Sequence, residues 1–384
     1  MTKGRKRWLA SLATASLGAA LLLPTAAVAQ ADLPALPAPE KTDVTIGLSV
    51  TEPSQFAVQL ADMAGIFDEL GMNAEVVVFE GDGRTLQALQ AGQIDAGFIG
   101  VSAAINSQVT DAPVTILSTN ATLLSDNIVS IPEITNADEL RGQCAAVSTF
   151  GGTSHGAMLL GLEALGLTPE DVAITEVGGQ SARIAALEGG SCGAAVVDVN
   201  LEAEMVESGF NVLVNLKEEG LPWGRSGLGV TEEFHAQNPN TALNILAATL
   251  QAQNMMWDDP EQAAAFYGEF AQFDEETASA IIADFQTVGN RSMIWEDRAF
   301  ETPKAVLATV NPDIEGVDIS TAYDRGPINT LIEMGYYDAL GVEVPTDIEG
   351  VAGAGEMAED DMAEDDMAED SEDMDDDSEE SAEG

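Results

Sequence analysis

The segment STFGGTSHGAML (residues 148–159) contains the residue types in this chain that best suit chemistry or ligand binding. Its glycines let backbone amides turn outward, and Thr153 or Ser154 can cap a helix that begins there. A helix start presents unpaired N–H groups and the positive end of the helix dipole, which attract a sulfonate or a carboxylate. We therefore expect Gly152, Thr153, Ser154 and His155 to hold an anionic group. The alternative is that Thr153 only caps the helix and that His155 faces water.

A catalytic role for this segment has little support in the sequence. Ser154 and His155 are neighbours in the chain, and sequence neighbours rarely reach each other in the geometry of a catalytic triad. The other histidine, His235, lies in the polar segment FHAQNPN. The sequence contains no phosphate-binding loop and no zinc-binding pattern. It favours a binding protein without a catalytic residue, a metal or a cofactor.

Alternating strand and helix patterns surround the segment and occur twice along the chain. The first set has predicted strands at 44–50, 74–80 and 96–100, with helices at 53–70 and 84–91. The second set has predicted strands at 144–149, 172–177 and 193–197, with helices at 154–165 and 181–188. The order strand, helix, strand predicts parallel sheets with right-handed crossovers.

The two sets also match each other in sequence. ALQAGQIDAGFIG (88–100) aligns without gaps with ALEGGSCGAAVVD (186–198), at a constant offset of 98 residues. This internal repeat predicts two related α/β lobes. Further predicted strands lie at 113–120, 127–134, 211–216 and 227–230. Two chain crossings between the lobes, near 121–127 and 221–226, are expected to form a hinge.

The N-terminus has the pattern of a cleaved secretory signal. Basic residues are followed by an apolar run to about Pro24 and then by the small residues TAAVAQA. We predict a signal peptide over 1–31 and a linker over 32–42. No cysteine follows the apolar run, so we expect a periplasmic or secreted protein without a lipid anchor. An uncleaved membrane anchor is the alternative.

The chain is strongly acidic, with a formal net charge of −52. Residues 356–384 contain 17 acidic and no basic residues, so most of the negative charge lies elsewhere. Such a surface argues against nucleic acid or an anionic membrane as a partner and suits salty surroundings. We predict a disordered acidic tail over 351–384. A loose cation-binding role for this tail is the alternative, although it lacks the ligand pattern of an EF-hand.

Four longer segments resemble a known protein family. They are GIFDELGMNAEVVVFEGDGRTLQALQAGQIDAGFIG, DELRGQCAAVSTFGGTSHGAMLLGLEALGL, VTEEFHAQNPNTALNILAATLQAQNMMWDDPEQAAAFY and PINTLIEMGYYDALGVEVPTDI. Over about 43–348 the chain resembles the periplasmic substrate-binding proteins of ABC importers for nitrate, sulfonates and taurine, which share their fold with binders of thiamine pyrimidine precursors. Pyrimidine-synthesising relatives of the fold depend on a cysteine-rich motif, which this chain lacks.

The resemblance implies a fold and partners. The fold is α/β, with two doubly wound Rossmann-like lobes joined by a hinge, the type II periplasmic binding protein fold. We expect lobe 1 over 43–124 and 224–350 and lobe 2 over 125–223. The implied partners are a small-molecule ligand and the membrane subunits of an ABC permease. We expect a monomer.

In open parallel sheets, ligands collect beyond the carboxyl ends of the strands. This rule selects further candidates in the loops of both lobes and at the crossing. They are Thr51, Glu52, Ser54, Gln55, Ser102, Asn120, Gln180, Asp198, Trp223 and Arg225.

An acid opposite an anion-binding helix start suits a zwitterion such as taurine. The sulfonate would lie at GGTSH, and the ammonium at Asp198 or Glu52. A solvated Asp198 is the alternative. Arg225 is a second anion partner or a hinge-surface ion pair, and Trp223 is an apolar wall or packs the crossing.

Two other functions remain open at this stage. One is the binding of a neutral heteroaromatic ligand such as a thiamine pyrimidine precursor, for which Phe56, Phe150 and Trp223 are the aromatic residues near the predicted loops. The other is a sensing module that binds its ligand without transport.

The two cysteines stand at the starts of predicted strands in the second lobe. In a doubly wound unit the first and third strands are parallel neighbours, so Cys144 and Cys192 are expected to lie close together. Export permits oxidation. We predict a structural disulfide away from the cleft, with metal binding as the alternative.

Overall fold

The computed structural model describes residues 33–352. The predicted signal peptide over 1–31 and the tail from 353 onward therefore lie outside the described residues. No helix within 33–352 combines the length and the hydrophobicity needed to cross a membrane.

The described residues form eleven strands and fifteen α-helices. The strands are β1 (Asp43–Leu48), β2 (Asn73–Val78), β3 (Ala96–Ile99), β4 (Val114–Ile116), β5 (Ala121–Leu123), β6 (Asp126–Ser130), β7 (Cys144–Val147), β8 (Ala173–Glu176), β9 (Ala194–Asp198), β10 (Asn211–Asn215) and β11 (Pro222–Thr231). The helices are α1 (Pro53–Met63), α2 (Ile66–Glu69), α3 (Asp82–Gln90), α4 (Val101–Ser107), α5 (Ala137–Leu140), α6 (Thr153–Ala164), α7 (Gln180–Glu188), α8 (Glu202–Glu207), α9 (Glu232–Gln237), α10 (Pro239–Asp258), α11 (Pro260–Ala271), α12 (Glu275–Phe285), α13 (Arg298–Ala308), α14 (Gly326–Glu333) and α15 (Tyr336–Leu340).

The strands assemble into two sheets, one in each lobe. The first sheet has the order β2-β1-β3-β11-β4, and β5 pairs with β11. The second has the order β10-β6-β9-β7-β8. In each sheet three parallel strands are extended by antiparallel ones: β1 is parallel to β2 and β3, and β7 is parallel to β8 and β9. The predicted α/β class with two doubly wound units is confirmed.

The chain passes between the sheets twice, over 124–125 and over 216–221. We call the residues of the first sheet and its helices the first lobe, and residues 125–221 the second lobe. Strand β11 begins at Pro222. The segment PWGRS (222–226) therefore belongs to the first sheet and not to the crossing that we expected near 221–226. Strands β5 and β11 pair in antiparallel fashion directly beside the crossings.

The cores of the two lobes differ in form. The first lobe has one large core, in which the 20-residue helix α10 packs against α1. The second sheet is covered on both faces, because alternate residues of a strand point to opposite sides. Val196 belongs to one apolar cluster and its neighbour Val197 to the other.

Two local features complete the fold. The predicted helix over 53–70 is divided into α1 and α2, because Gly65 adopts a left-handed conformation with φ of 77°. Cys144 and Cys192 form a disulfide at the amino ends of the neighbouring strands β7 and β9. This bond lies at the opposite edge of the sheet from the strands' carboxyl ends.

Candidate ligand-binding cleft

The carboxyl ends of the parallel strands of both sheets face each other across a cleft. Its walls are formed by Ser49, Val50, Glu52, Ser54, Gln55, Asp82 and Arg225 of the first lobe and by Asp126, Ser148, Thr153, Ser154 and Arg183 of the second. The free volume between these side chains is about 30 Å³, which holds about two water molecules. The structure therefore shows the lobes closed on each other.

Arg225 lies at the centre of the cleft and connects the lobes. Strand β11 places its guanidinium against Glu52 of the first lobe, with 2.6 Å between Nη2 and Oε2. The same group pairs with Asp126 and Asp198 of the second lobe. All four side chains are buried, at 5% exposure for Arg225. Arg225 is thus neither the free anion partner nor the member of a surface ion pair that we expected.

One guanidinium shared among three carboxylates leaves an excess of negative charge. Burial raises the pKa of Asp198 to about 8, against the opposing attraction of Arg225 and with added repulsion from Glu52 and Asp126. Burial also raises the pKa of Asp126. The pKa of Arg225 stands well above its usual value, because its three carboxylates outweigh the effect of burial. Asp198 therefore binds a proton more readily than an exposed aspartate does.

A second buried cation, Arg183, enters the cleft from the first turn of α7. Its Nε donates to the carbonyl of Val196 at 2.7 Å and its Nη1 to the carbonyl of Gly178 at 3.4 Å. Burial lowers its pKa, while the carboxylates of Glu52 and Asp126 oppose that effect. The backbone therefore fixes this guanidinium beside the cluster around Arg225.

The start of α6 is occupied by a carboxylate of the first lobe. The amide of Thr153 donates to Asp82 Oδ2 at 2.9 Å. The other oxygen of Asp82 accepts from Ser49 Oγ at 2.6 Å and from the amide of Gly100 at 3.0 Å. We expected the amide of Thr153 to hold a ligand anion, and this expectation is corrected: in the closed structure Asp82 takes that position.

The remaining residues of the segment 148–159 have separate roles. Ser154 Oγ lines the cleft and bonds to Ser148, at 2.9 Å from its amide and 2.6 Å from its hydroxyl. His155 accepts from the amide of Gly151 through Nδ1 at 3.1 Å and packs edge-to-face on Phe150. Burial lowers the pKa of His155, against an opposing effect of Glu176. His155 is buried and does not line the cleft, so the alternative in which it faces water is excluded.

Several other predicted residues lie at or beside the cleft. Gln55 accepts from the amide of Ser49 at 2.8 Å and holds the end of β1. Gln180 accepts from the amide of Asp198 at 2.9 Å. Gly152 caps α6, and Thr51 is exposed beside the cleft, with its carbonyl bonded to Tyr267 at 3.2 Å.

Three predicted residues point away from the cleft. Ser102 is buried in the first turn of α4, and Asn120 is bonded to Gln253 inside the first lobe. Trp223 is fully buried against Gly156 of α6, where a Cβ would overlap the indole ring. Trp223, on β11, therefore packs into an apolar cluster of the second lobe and forms no apolar wall of the cleft.

Five residues that line the cleft were not among the predicted site residues: Ser49, Asp82, Asp126, Ser148 and Arg183. Asp126 begins strand β6, which is antiparallel to β9, so its amino end lies beside the carboxyl end of β9 at Asp198. Asp82 lies in the loop 80–83 that follows a predicted strand, where it begins α3, and Arg183 lies in the first turn of α7, three residues after the predicted Gln180. Cations are scarce, with 14 Lys and Arg in 384 residues, and this scarcity is a signal by which Arg183 could have been selected.

Comparison with solved structures shows a shared fold. The alkanesulfonate-binding protein SsuA from Xanthomonas axonopodis pv. citri, bound to MOPS, is 15% identical with a TM-score of 0.61, covering 74% of this chain and 99% of that one. The periplasmic nitrate-binding protein NrtA from Synechocystis PCC 6803 is 17% identical with a TM-score of 0.62, covering 82% and 93%. The desulfurization enzyme DszB is 16% identical with a TM-score of 0.57, covering 76% and 99%.

The comparison at the level of sequence identifies a family. No curated protein matches the chain. A family model described as NMT1/THI5 like matches residues 53–263, which is more than half of the chain. The chain belongs to the NMT1/THI5-like family and has the fold of the periplasmic binding proteins.

Proposed function

We propose that this protein is an extracytoplasmic solute-binding protein that delivers a small zwitterionic organic solute to an ABC permease. A sulfonate that carries an amine, of the taurine kind, is the best representative of that solute. The family and the fold support the binding role. The observation that carries the choice of ligand is the buried cluster of carboxylates and guanidiniums between the lobes.

The charges of the cleft favour a solute with a positive group. Four buried carboxylates, Glu52, Asp82, Asp126 and Asp198, face only two guanidiniums. An ammonium group beside Glu52 or Asp198 reduces the repulsion among the carboxylates. A solute with negative charge alone adds to that repulsion. The zwitterion is therefore favoured over a simple anion such as nitrate.

The acidic end of the solute has its own partners across the cleft. Arg183 presents a guanidinium whose position the backbone fixes, and guanidinium groups match the geometry of sulfonate and carboxylate oxygens. Ser148 and Ser154 add hydroxyl donors that can rotate toward a bound oxygen. Both lobes thus contact one solute, with carboxylates from each lobe around its ammonium group.

Capture requires the closed lobes to open. The direct side-chain bonds between the lobes are few. Besides those of Asp82 and Arg225, the amide of Gly83 donates to Thr149 Oγ1 at 3.1 Å, and Asn106 donates to the carbonyl of Gly151 at 2.8 Å. Lys217 Nζ donates to Asp284 Oδ1 at 2.9 Å and to Thr287 Oγ1 at 3.3 Å. Rotation about the two crossings would open the cleft, and a solute that contacts both lobes would stabilise the closed state. A monomer in the periplasm is sufficient for this cycle.

The alternatives have less support from the cleft. None of the residues that line the cleft around Glu52, Asp82 and Arg183 is aromatic, and Phe56 and Trp223 are fully buried in the cores. The adjoining cavity beside Asp198 contains one aromatic side chain, Phe285, so a pyrimidine has little surface to stack on. Catalysis needs a nucleophile beside a base, whereas Ser154 bonds to Ser148 and His155 to Gly151. A sensing module would bind the same solute and differs only in its downstream partner.

Calorimetry with a matched set of solutes tests the proposal. Taurine, ethanesulfonate, ethylamine, nitrate and a pyrimidine precursor are titrated into the protein and into Arg183→Met, with Arg141→Met as the control because Arg141 is exposed. We expect taurine to bind at least about 10-fold tighter than ethanesulfonate, since its ammonium group meets a buried carboxylate. Arg183→Met should lose taurine and Arg141→Met should keep it. Binding of pyrimidines alone, or of ethanesulfonate at equal strength, would refute the proposal.

A further inference from the structure

Asp82 makes more contacts than a helix start requires. One oxygen accepts from Ser49 Oγ and from the amide of Gly100, both within its own lobe. The other oxygen crosses to the second lobe and accepts from the amide of Thr153 at the start of the 12-residue helix α6. The side chain is buried, at 6% exposure. A carboxylate of the chain itself thus occupies the favoured anion position of the cleft.

The internal repeat shows which of these contacts the fold needs. At the offset of 98 residues, Asp82 corresponds to Gln180 and Gly100 to Asp198. Gln180 accepts from the amide of Asp198 at 2.9 Å, as Asp82 accepts from the amide of Gly100 at 3.0 Å. A neutral amide therefore suffices to hold the strand end. The charge of Asp82 and its second oxygen serve the contact with the other lobe.

Two glycines provide the space for this contact. A Cβ at Gly152 would lie 3.0 Å from Asp82 Oδ2, and a Cβ at Gly100 would lie 2.9 Å from the same atom. Neither glycine has a positive φ, at −86° for Gly152 and −66° for Gly100, so neither is required by backbone conformation. Their lack of a side chain lets the carboxylate fit between the lobes.

We infer that Asp82 is a specificity-determining residue: a tethered anion that holds the start of α6 and rejects solutes that carry negative charge alone. The inference rests on the proposed function. A simple anion must displace Asp82 from the amide of Thr153 and then remain beside it, two like charges in a buried site. A zwitterion binds its acidic end at Arg183 and its ammonium group at the carboxylates, so it leaves Asp82 at the amide of Thr153 and requires only that the cleft widen beyond its closed volume of about 30 Å³.

The test compares the affinities of simple anions and of the zwitterion for variants that lack the charge of Asp82. Asp82→Gln introduces the residue type of the repeat equivalent, Gln180, and keeps an acceptor for the amide of Gly100. Asp82→Ala leaves the amide of Thr153 without its acceptor. Asp68→Ala, on the exposed surface of the same lobe, is the control for loss of one charge. Sulfate, ethanesulfonate and taurine are titrated into each variant, and thermal unfolding shows that each is folded. We expect the affinity for sulfate and ethanesulfonate, relative to taurine, to rise at least about 10-fold in both Asp82 variants and to stay unchanged in the control.

The outcomes separate this inference from the proposed function. If taurine does not bind the unmodified protein, the proposed function fails. Sulfate alone then decides the role of Asp82: a gain of at least about 10-fold in Asp82→Ala supports it, and no gain overturns it. If taurine binds and the ratio of affinities changes less than about twofold in both Asp82 variants, the inference is overturned and the proposed function stands.

Discussion

The two lobes share an internal repeat, yet they place their cleft acids at different points of it. In the first lobe the acid is Asp82 at the helix start, and the strand end is Gly100. In the second lobe the helix start is the neutral Gln180, and the strand end is Asp198. The hydrogen bond between the two positions is the same in both lobes. The fold therefore requires this hydrogen bond, but it does not determine which of the two positions carries an acid.

This exchange of positions sends the two carboxylates to different partners. Asp82 reaches the amide of Thr153 on the opposite lobe, whereas Asp198 reaches Arg225 on strand β11. Asp82 thus lies at the start of α6, and Asp198 lies beside the central Arg225. Identical lobes would have placed both acids on equivalent elements. The difference shows that divergence of the repeat made the cleft asymmetric.

The largest expected effect comes from removing the cation that joins the lobes. Arg225→Met leaves the buried carboxylates of Glu52, Asp126 and Asp198 without their shared partner. We expect the free energy of unfolding to fall by about 3–5 kcal/mol. Denaturant unfolding of this variant measures the loss. Arg141→Met, which removes an exposed ion pair with Asp171, should cost only about 0–1 kcal/mol; equal losses in the two variants would contradict the central role of Arg225.

The disulfide distinguishes the second lobe from the first, which has no cysteine between 33 and 124 or between 222 and 352. Cys144 and Cys192 are 48 residues apart in sequence. Replacing both with alanine should lower the free energy of unfolding by about 2–4 kcal/mol, because the bond restricts the unfolded chain. The bond lies far from the cleft, so solute affinity should not change. Unfolding in denaturant measures the loss of stability, and calorimetry measures the solute affinity. Two free thiols in the native protein would contradict the presence of the disulfide.

The expected effect that is smallest per pH unit concerns Asp198, whose equivalent in the first lobe is Gly100. The pKa of Asp198 is raised from an ordinary 3.8 to about 8. Between these values the native state binds more protons than the unfolded state, so the free energy of unfolding falls as the pH rises, by at most about 1.4 kcal/mol per pH unit. Asp198→Asn should reduce this slope between pH 4 and pH 8. Unfolding of both proteins across that range gives the slopes, and an unchanged slope would assign the proton to another member of the cluster.

The sequence predicts the architecture well because the fold repeats a regular pattern. Apolar runs mark buried strands, and the constant offset between the halves marks equivalent positions. The rule that ligands collect at the carboxyl ends of strands correctly located Glu52, Ser54 and Arg225 in the cleft. The strands and the two lobes therefore follow from local patterning and the repeat.

The direction of single side chains could not be predicted in the same way. Ser102 and Trp223 were predicted to lie in loops at the cleft, but Ser102 lies in α4 and Trp223 in β11, and both side chains are fully buried. Asp126 was missed because the rule considers parallel strands only. The contact of Asp82 with Thr153 depends on how closely the lobes approach, which no local pattern encodes. Tertiary packing decides these cases.

A crystal structure of the protein with taurine tests the central claim most directly. We predict the ammonium group within hydrogen-bond distance of Glu52 or Asp198, the sulfonate on Arg183, and Asp82 still bonded to the amide of Thr153. Taurine outside the gap between the lobes, or a sulfonate that replaces Asp82 at α6 while the carboxylates remain without an ammonium partner, would contradict the account.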